Sequence, residues 1–522
     1  MALGLFDIVG PVMHGPSSNH TGGANRIGYL AREIMGGTPD AIHLGFHRGY
    51  MNSYAGQHSH SAMIAGLLGY REYDDESVNA LEEAEERELP WDTYAIADES
   101  ISRNTFRTIG EIGDQVWEIN GDSIGGGNII IDRINTLPVH LDGNDWLLII
   151  ADQDKAAFDQ AVSRAEELAG EDRTSSVSGQ VLGKKWLYIG TYKSEPPAVQ
   201  QEGTAIYRTV RPLFTFADSG AEPLFTTFAE LEELCQTADL IDVIMEYEVR
   251  RSKVSKERVF AEAQFMVREI QKALKRGKEE PIQLIGGLTD PNDGKKLVRW
   301  VEAGNPVVNE MFASALANAV ILAQLNAAGS KIVAAPTGGS AGTLPGTLIA
   351  AGSRYGKSDE ELAKALLVAA AIGLVIGNKA SFSGTVGGCQ SEVGIGAAMG
   401  AGTVAWMGGG RIQQVIQAAT IALKNVLGLS CDPPASPTEV PCIKRNAMGV
   451  AVAFMGAELG LAGLCSAVAP DDVVEALADT QRRLPQEIKY GGCGGLACTA
   501  SGKALNCKWR ERLKEISEEN KH

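Results

Sequence analysis

The sequence predicts a multidomain protein with an α+β N-terminal domain, a small α+β module and an all-α C-terminal domain. Its 522 residues are too many for one hydrophobic core. Strand-like runs occupy the first part of the chain, whereas apolar residues at helical spacing dominate the rest. We therefore expect domains at residues 1–137, 138–198 and 223–522, with a linker at 199–222.

Composition and charge exclude several classes of protein. Apolar residues make up 44% of the chain and charged residues 21%, which is typical of a soluble globular protein. A formal net charge of −18 repels phosphate backbones, so we expect no nucleic-acid partner. The longest apolar run, Ala365 to Ile376, is too short to span a bilayer, so no membrane association is expected. Residues 1–10 lack the features of a signal peptide, and free cysteines fit a cytoplasmic location.

Two polar loops in the first domain precede predicted helices. The loop Gly15–Gly22 leads into the helical pattern Arg26–Ile34, where free N–H groups favour an anion. The same residues also suit a simple helix N-cap, and the pattern leaves both interpretations open. In the second loop, His58 and His60 precede a helix at Ala62–Leu68. Two histidines at this spacing could be metal ligands, general bases or surface residues.

The next segment predicts a small α+β module, because one helix alternates with three strand-like runs. The predicted elements are strand Trp146–Ile150, helix Lys155–Ala169, and strands Ser175–Val181 and Lys185–Thr191.

Helical spacing of apolar residues marks the C-terminal domain, where several segments are rich in Gly and Ala and can pack closely. Within it, Ala335–Gly346 is a polar, Gly-rich turn ahead of a helix. It is not a nucleotide P-loop, since the Gly-Lys-Ser/Thr ending is missing. The predicted helices are Leu231–Val249, Lys256–Lys275, Gly294–Ala303, Val307–Ala328, 362–377, 394–407 and 447–464.

Three cysteines, Cys389, Cys431 and Cys442, are separated by 42 and 11 residues, and each lies beside or near Gly or Pro. Scattered cysteines are usually buried small hydrophobes. A structural zinc site normally has four ligands at shorter spacing. Three thiolates can also hold three irons of a [4Fe–4S] cluster and leave the fourth iron without a protein ligand, as a Lewis acid.

The segments around these cysteines decide between these alternatives. They resemble the iron–sulfur L-serine dehydratases, and so do Gly15–Gly22, Asp122–Gly127, Ala335–Gly346 and Gly494–Gly502. The resemblance implies a [4Fe–4S] cluster on the three cysteines, β-type and α-type parts fused in one chain, and conversion of L-serine, a small-molecule substrate, to pyruvate and ammonia. A homodimer is expected. The segments around the cysteines that carry the resemblance are Asn378–Gly384, Gly387–Gly394, Leu427–Pro433 and Glu439–Ala447.

The resemblance also implies site residues. A base must remove the α-proton of the substrate, and His20, His58 and His60 are the candidates by residue type. Lys379 is a further catalytic candidate, and no pyridoxal phosphate site is expected. The predicted substrate-binding residues are Ser17, Ser18, Asn19, Thr21, Ser59, Thr337, Gly339, Ser340, Ser381, Ser383, Arg445 and Asn446.

Four positions depart from the family pattern, namely Asn19, Gln57, His60 and Lys379. Together they would make a cleft more cationic, which suggests a substrate with an extra acidic group. A buried lysine paired with a local carboxylate would explain Lys379 without any such change, and both interpretations stay open. A lyase that cleaves the C–S bond of cysteine and a non-catalytic iron–sulfur sensor are the alternative functions.

Two features of the family are less well defined in this chain. Some relatives end in a cysteine that caps the fourth iron, and Cys493 is the favoured candidate here, ahead of Cys498 and Cys507. Residues 138–198 resemble a shortened ACT-type regulatory domain. Such a module would bind an amino acid or only pair two subunits.

Overall fold

The computed structural model describes residues 2–51, 53–98, 100–113, 115–181, 185–196, 206–216 and 218–519. The chain forms two compact units. Unit 1 comprises Met1–Ser18, Ala55–Gln57 and Gly220–His522, and unit 2 comprises Asn19–Tyr54 and His58–Ser219.

Helices and strands are numbered along the chain. The helices are α1 (Leu5–Ile8), α2 (Gly23–Met35), α3 (Ser59–Leu68), α4 (Ala80–Glu86), α5 (Lys155–Ala169), α6 (Phe228–Leu234), α7 (Leu240–Ser252), α8 (Lys256–Glu279), α9 (Asp293–Glu302), α10 (Glu310–Ala327), α11 (Thr343–Arg354), α12 (Asp359–Gly377), α13 (Gly384–Gly387), α14 (Ile395–Met407), α15 (Ile412–Lys424), α16 (Cys442–Leu461), α17 (Pro470–Arg483) and α18 (Ala500–Glu519). The strands are β1 (Val12–His14), β2 (Ala41–His47), β3 (Trp91–Ile96), β4 (Thr105–Ile112), β5 (Gln115–Gly125), β6 (Asn128–Ile134), β7 (Leu137–Leu141), β8 (Trp146–Asp152), β9 (Arg173–Val181), β10 (Lys185–Tyr192), β11 (Ile206–Val210) and β12 (Lys331–Val333).

Unit 2 is built on two sheets. The larger has the strand order β3-β2-β4-β5-β6-β7, in which only β2 and β3 run parallel. Helices α2 and α3 pack against each other, and glycines allow their close approach. A Cβ atom at Gly28 would lie 2.3 Å from Met63 O, and one at Gly66 would lie 2.2 Å from Asn25 O. The packing of these two helices therefore requires glycine at both positions.

The smaller sheet of unit 2 has the antiparallel order β11-β8-β10-β9, with α5 following β8. Strand β11 corrects the predicted linker at 199–222, since residues 206–210 pair with β8. The β-favouring residues Ile206, Tyr207, Thr209 and Val210 explain this strand, although glycine and proline nearby suggested an irregular segment. Residues 199–205 and 217 of that predicted linker lie outside the described residues.

Unit 1 is mainly helical. Helix α14 lies at its centre, with nearly every side chain buried, and contacts α11, α12, α15 and α16. Small residues allow this packing, because a Cβ atom at Gly456 of α16 would lie 2.7 Å from Ala418 O of α15. The mixed α+β N-terminal part and the helical C-terminal part are thus confirmed.

Two details of the predicted helical domain differ. Strand β12 pairs with β1 in a two-stranded antiparallel sheet, so the C-terminal domain is not entirely helical. The predicted helix Leu231–Val249 is two helices, α6 and α7. The helix is interrupted between them because Asp239 is the N-cap of α7, where its side chain accepts a hydrogen bond from Ile241 N. No helix in the described parts of the chain has the length and apolar character needed to cross a membrane.

Candidate metal centre

The three candidate cysteines of unit 1 lie at two helix N-termini and in one loop. Cys389 follows Gly388, whose φ of +74° favours glycine, and precedes the π-helical turn Gln390–Gly394 that continues into α14. Cys442 is the first residue of α16, and Cys431 lies in the connection between α15 and α16. Cys389 and Cys442 therefore lie at helix N-termini, where the helix dipole favours a thiolate.

The thiols lie close to one another and to a carboxylate. The ligand atoms of Cys389, Glu392 and Cys431 are all within 4.8 Å of one another. A hydrogen bond with Cys431 lowers the pKa of the Cys389 thiol, and the same contact raises the pKa of Cys431. Burial raises the pKa of Cys442, and the charges of Cys389 and Glu392 raise it further. We call these four residues the thiol centre.

Arg445 forms hydrogen bonds with the thiol centre and with the loop beside it. Its Nη1 donates to Cys389 Sγ at 3.4 Å and to Ser430 O at 2.7 Å, and its Nη2 donates to Asp432 Oδ1 at 2.7 Å. Asp432 in turn accepts a hydrogen bond from Leu496 N at 2.9 Å. The sequence suggested Arg445 as a substrate-binding residue, but in the structure its guanidinium joins the Cys389 and Cys431 segments.

Glu392 is a residue that the sequence analysis missed. Its Oε1 accepts a hydrogen bond from Thr337 Oγ1 at 2.8 Å, and no described basic side chain forms an ion pair with it. A Cβ atom at Gly339 or Gly384 would lie 2.8 or 2.7 Å from its carboxylate. Burial raises the pKa of Glu392 to about 7. Its position three residues after Cys389 was the available signal, since residues at that spacing share one side of a helical turn.

The predicted loops around residues 15–18 and 335–346 lie side by side. Gly338 N donates to Ser18 Oγ at 3.4 Å, and Ser340 Oγ bonds to Ala335 O and Thr337 O. In this turn the N–H groups of residues 337, 338, 340, 341 and 342 all have hydrogen-bond partners. Gly339 N–H has none among the described residues, and Gly339 lies beside Glu392, since a Cβ atom there would be 2.8 Å from Glu392 Oε1.

Other predicted substrate-binding residues of unit 1 have structural partners. Asn446 is buried and uses its amide fully, donating to Gly339 O and Cys442 O and accepting from Gly342 N. Ser383 Oγ bonds to Thr385 Oγ1 at 2.7 Å, and Ser381 Oγ accepts from Ser383 N. Ser17 is partly buried.

Three further residues considered in unit 1 have other partners or are exposed. Lys379 Nζ is 2.5 Å from Glu475 Oε1, and 41% of its side chain is exposed. Gln57 Nε2 donates to Ser436 O and to the Tyr490 hydroxyl. Cys493, the candidate fourth iron ligand, is exposed, as are Cys498 and Cys507.

His20 belongs to a buried polar group in unit 2. Its ring stacks on Tyr50 with centroids 4.8 Å apart, and its Nε2 is 3.1 Å from Asn104 Oδ1. Ser59 Oγ donates to His20 O at 2.7 Å and is also bonded to the Tyr50 hydroxyl. Burial lowers the pKa of His20 to about 4. Two other predicted residues are also buried here, Thr21 and Asn19, whose Oδ1 accepts from Ser123 Oγ.

His58 and His60 lie at the start of α3. His58 has a φ of +54° and its pKa is lowered by burial to about 4. His60 contacts the rings of Tyr54 and Trp91, and burial lowers its pKa to about 3. The three histidines are therefore uncharged at neutral pH. Each of the four departures from the family pattern thus has a local partner within its own unit.

A comparison with known families identifies the chain. Residues 235–497, half of its length, match the serine dehydratase alpha chain family. This stretch contains every residue of the thiol centre. The chain belongs to the serine dehydratase alpha chain family. It is accordingly an enzyme, of the lyase class.

Three similar proteins match between 38% and 56% of the chain. The probable L-serine dehydratase, alpha chain, of Bacillus subtilis is 36% identical over 287 residues, which cover 55% of this chain and 95% of that protein. The L-serine dehydratase, alpha chain, of Peptoniphilus asaccharolyticus is 34% identical over 298 residues, with 56% and 99% covered. The probable L-serine dehydratase, alpha chain, of Latilactobacillus sakei is 41% identical over 196 residues, with 38% and 94% covered.

Proposed function

We propose that the protein is a [4Fe–4S]-dependent L-serine ammonia-lyase that forms pyruvate and ammonia. The observation that carries the proposal is the grouping of thiols and a carboxylate in the thiol centre. The ligand atoms of Cys389, Cys431 and Glu392 share one small volume, and Cys442 is near enough for Cys389 and Glu392 to raise its pKa. Arg445, already paired with Asp432, is the only cation bonded to any of these four residues in the described parts of the chain. Groups that become anionic together in a buried place require a positive partner.

The residues fit an iron–sulfur cluster. Thiolate sulfur is the ligand that such clusters prefer, and Cys389, Cys431 and Cys442 would hold three of its irons. Gly384 leaves the approach open, since a Cβ atom there would lie 3.7 Å from Cys431 Sγ and 2.7 Å from Glu392 Oε2. Glu392 is the nearest oxygen donor and our candidate for a fourth contact, in place of Cys493. When bound, an iron with an open coordination position supplies Lewis-acid help to the departure of a hydroxyl group.

The chain's own groups would bind and orient the substrate. The unpartnered N–H of Gly339 is suited to a substrate carboxylate, and Thr337 holds the Glu392 carboxylate beside the thiols. We keep His20, His58 and His60 as candidate proton acceptors, because a neutral imidazole has a lone pair that can take a proton. Since Lys379 is paired with Glu475, the departures give no reason to expect an extra acidic group on the substrate.

Two further parts of the proposal concern the rest of the chain. The sheet of β8 to β11 with α5 would serve as an ACT-like module, either binding an amino acid or pairing two subunits of a homodimer. A cytoplasmic location would suit a cluster that oxygen damages. Size-exclusion chromatography of the full chain and of a chain lacking residues 138–210 would separate the two roles of the module.

The test is an anaerobic preparation of the full chain. We expect about four irons and four sulfides per chain, a visible spectrum that changes on adding L-serine, and equal amounts of pyruvate and ammonia. L-Cysteine and 3-hydroxyaspartate are the comparison substrates. A preparation that binds no iron after reconstitution would overturn the proposal. A preference for L-cysteine over L-serine would identify the protein as a lyase that cleaves the C–S bond of cysteine.

A further inference from the structure

Gln481 on α17 is buried, and both ends of its side-chain amide are hydrogen-bonded. Only 3% of the residue is exposed. Its Oε1 accepts a hydrogen bond from Ser381 N at 3.0 Å, and its Nε2 donates to Ser381 O at 2.7 Å and to Ser391 Oγ at 2.8 Å. The amide therefore joins the segment that precedes α13 to the π-helical turn that follows it.

The bond to Ser391 holds the turn in which Cys389 lies. Ser391 is fully buried, and its N–H donates to Gly388 O at 3.1 Å, so Cys389 lies within a closed turn of the main chain. Gly387 lets Gln481 pack against this turn, since a Cβ atom there would lie 2.5 Å from Gln481 Cγ. The position of Cys389 thus depends on a side chain that is distant in sequence.

A second buried glutamine connects the same turn to another segment. Gln390 N donates to Leu429 O at 3.1 Å, and Gln390 Oε1 accepts from Gly428 N at 2.8 Å. These bonds join the turn to the residues that precede Cys431. The main chain around Cys389 is therefore held by Gln390 to the Cys431 segment and by Gln481 to α17.

We propose that Gln481 is a positioning residue for the thiol centre, which acts through Ser391 to hold the turn that carries Cys389. Hydrogen bonds of this kind keep metal ligands in the orientation that binding requires. An amide suits the role because it accepts from an N–H group and donates to oxygens at the same time, which a methionine of similar length cannot do. The hold on the turn does not depend on the proposed function, whereas its effect on a cluster rests on it.

The first test uses the full chain without metal, in the absence of denaturant. In the wild type the buried thiol of Cys389 should react slowly with N-ethylmaleimide, as measured by mass spectrometry of its peptide. In Gln481→Met we expect labelling to be roughly tenfold faster, the factor that loss of one buried hydrogen bond produces in a local opening equilibrium. Ser391→Ala, which removes only the link to the turn, should change the rate in the same direction.

Gln324→Met is the matched control. Gln324 is also buried on a helix of unit 1, and its amide accepts from Gly294 N and donates to Asp290 O, so its loss removes bonds of the same kind. The thermal midpoint of this variant should fall as well, but the labelling rate of Cys389 should equal that of the wild type. The control therefore separates a specific hold on the turn from a general loss of stability.

The second test uses the full chain after anaerobic reconstitution with iron and sulfide. Gln481→Met should release iron to a chelator roughly tenfold faster than the wild type, at the lower end of the range for groups that support a metal site. The electron paramagnetic resonance spectrum of its reduced cluster should also differ from that of the wild type. Both properties should be unchanged in Gln324→Met.

Each outcome decides a stated part of the inference. Unchanged labelling of Cys389 in Gln481→Met would overturn the hold on the turn, and so would equally fast labelling in Gln324→Met. Faster labelling without faster release of iron would overturn the role of Gln481 in retaining a cluster. A wild-type chain that binds no iron would overturn the proposed function, and the labelling rates would still decide whether Gln481 holds the turn.

Discussion

The thiol centre of unit 1 and the histidine group of unit 2 both bury polar groups, but they do so in opposite ways. His20 lies against Tyr50 and Asn104 and is kept neutral by burial. In the thiol centre, the ligand atoms of Cys389, Cys431 and Glu392 lie within 4.8 Å of one another, Cys442 is near enough for two of them to raise its pKa, and one guanidinium bonds to Cys389. Neutral polar groups can be satisfied by one another, whereas several potential anions need positive partners, and among the described residues Arg445 is the only cation bonded to them.

Removing one thiol is expected to have the largest effect. In Cys431→Ser the iron content should fall and pyruvate formation from L-serine should drop below detection, because a cluster held by two thiols is easily lost. Iron, sulfide and activity are measured together on anaerobic protein. Cys465→Ser is the control, since Cys465 is an exposed free thiol. Full iron and activity in Cys431→Ser would show that the thiol centre is not the metal site.

The histidine group predicts a pH dependence of stability. Burial lowers the pKa of His20 from 6.5 to about 4. The unfolded chain then binds more protons between these values, so stability is full above pH 6.5 and is lost as the pH falls towards 4. For His20 the loss is roughly 3 kcal/mol at about 1.4 kcal/mol per pKa unit.

The urea midpoint of the metal-free chain, followed from pH 7 to pH 4.5, measures this dependence. In His20→Phe the midpoint should fall less steeply with pH, since the phenyl ring keeps the stack on Tyr50 but cannot be protonated. His140→Gln is the control, because His140 is exposed. Parallel slopes for wild type and His20→Phe would contradict the assignment of a buried neutral histidine.

Glu392→Gln distinguishes a metal ligand from a structural residue. With metal, we expect roughly 10- to 100-fold weaker retention of iron against a chelator, the range seen when groups that support a metal site are removed. In the metal-free protein the substitution should not destabilise the fold, because it removes one potential anion from a group of like charges. The thermal midpoint of the metal-free variant should stay level or rise.

A matched control for Glu392 is Glu475→Gln, which removes a surface carboxylate from the same unit. It should leave iron retention unchanged. If Glu392→Gln retains iron as well as wild type does, the carboxylate is not a ligand. If it lowers the midpoint of the metal-free chain, its role is to hold Thr337.

The sequence predicts the components of the site better than their roles. The three cysteines and the loops at 15–22 and 335–346 stand out because Gly, Pro and Ser recur in fixed order. Glu392 stands out much less among 65 acidic residues, since its only local signal is the spacing of three residues from Cys389, and Thr337 and Cys431 reach it from distant segments. Substrate binding by Arg445 stays a prediction, and the sequence alone cannot reveal that Ser430 and Asp432 accept hydrogen bonds from its guanidinium.

The fold shows the same division. Helix α5 and the strands beside it follow from local periodicity, and the predicted bounds Lys155–Ala169 agree with the structure. Strand β11 could not be assigned, because a strand of five residues is marked mainly by its partner, β8, which lies more than 50 residues earlier. The same holds for β12, which forms only because β1 pairs with it.

The smallest effect is expected at Lys379, a position where the chain departs from the family pattern. Its ammonium group pairs with Glu475 on the surface, and this contact raises its pKa. Exposed pairs of this kind contribute little to stability. Lys379→Met should therefore leave KM and kcat for L-serine unchanged within error and leave the thermal midpoint unaltered.

The decisive comparison is kcat/KM for 3-hydroxyaspartate, because removing a lysine that binds an extra carboxylate would lower that value alone. A decrease in kcat/KM for 3-hydroxyaspartate alone would show that Lys379 binds the substrate and exchanges its contact with Glu475 for one with the substrate.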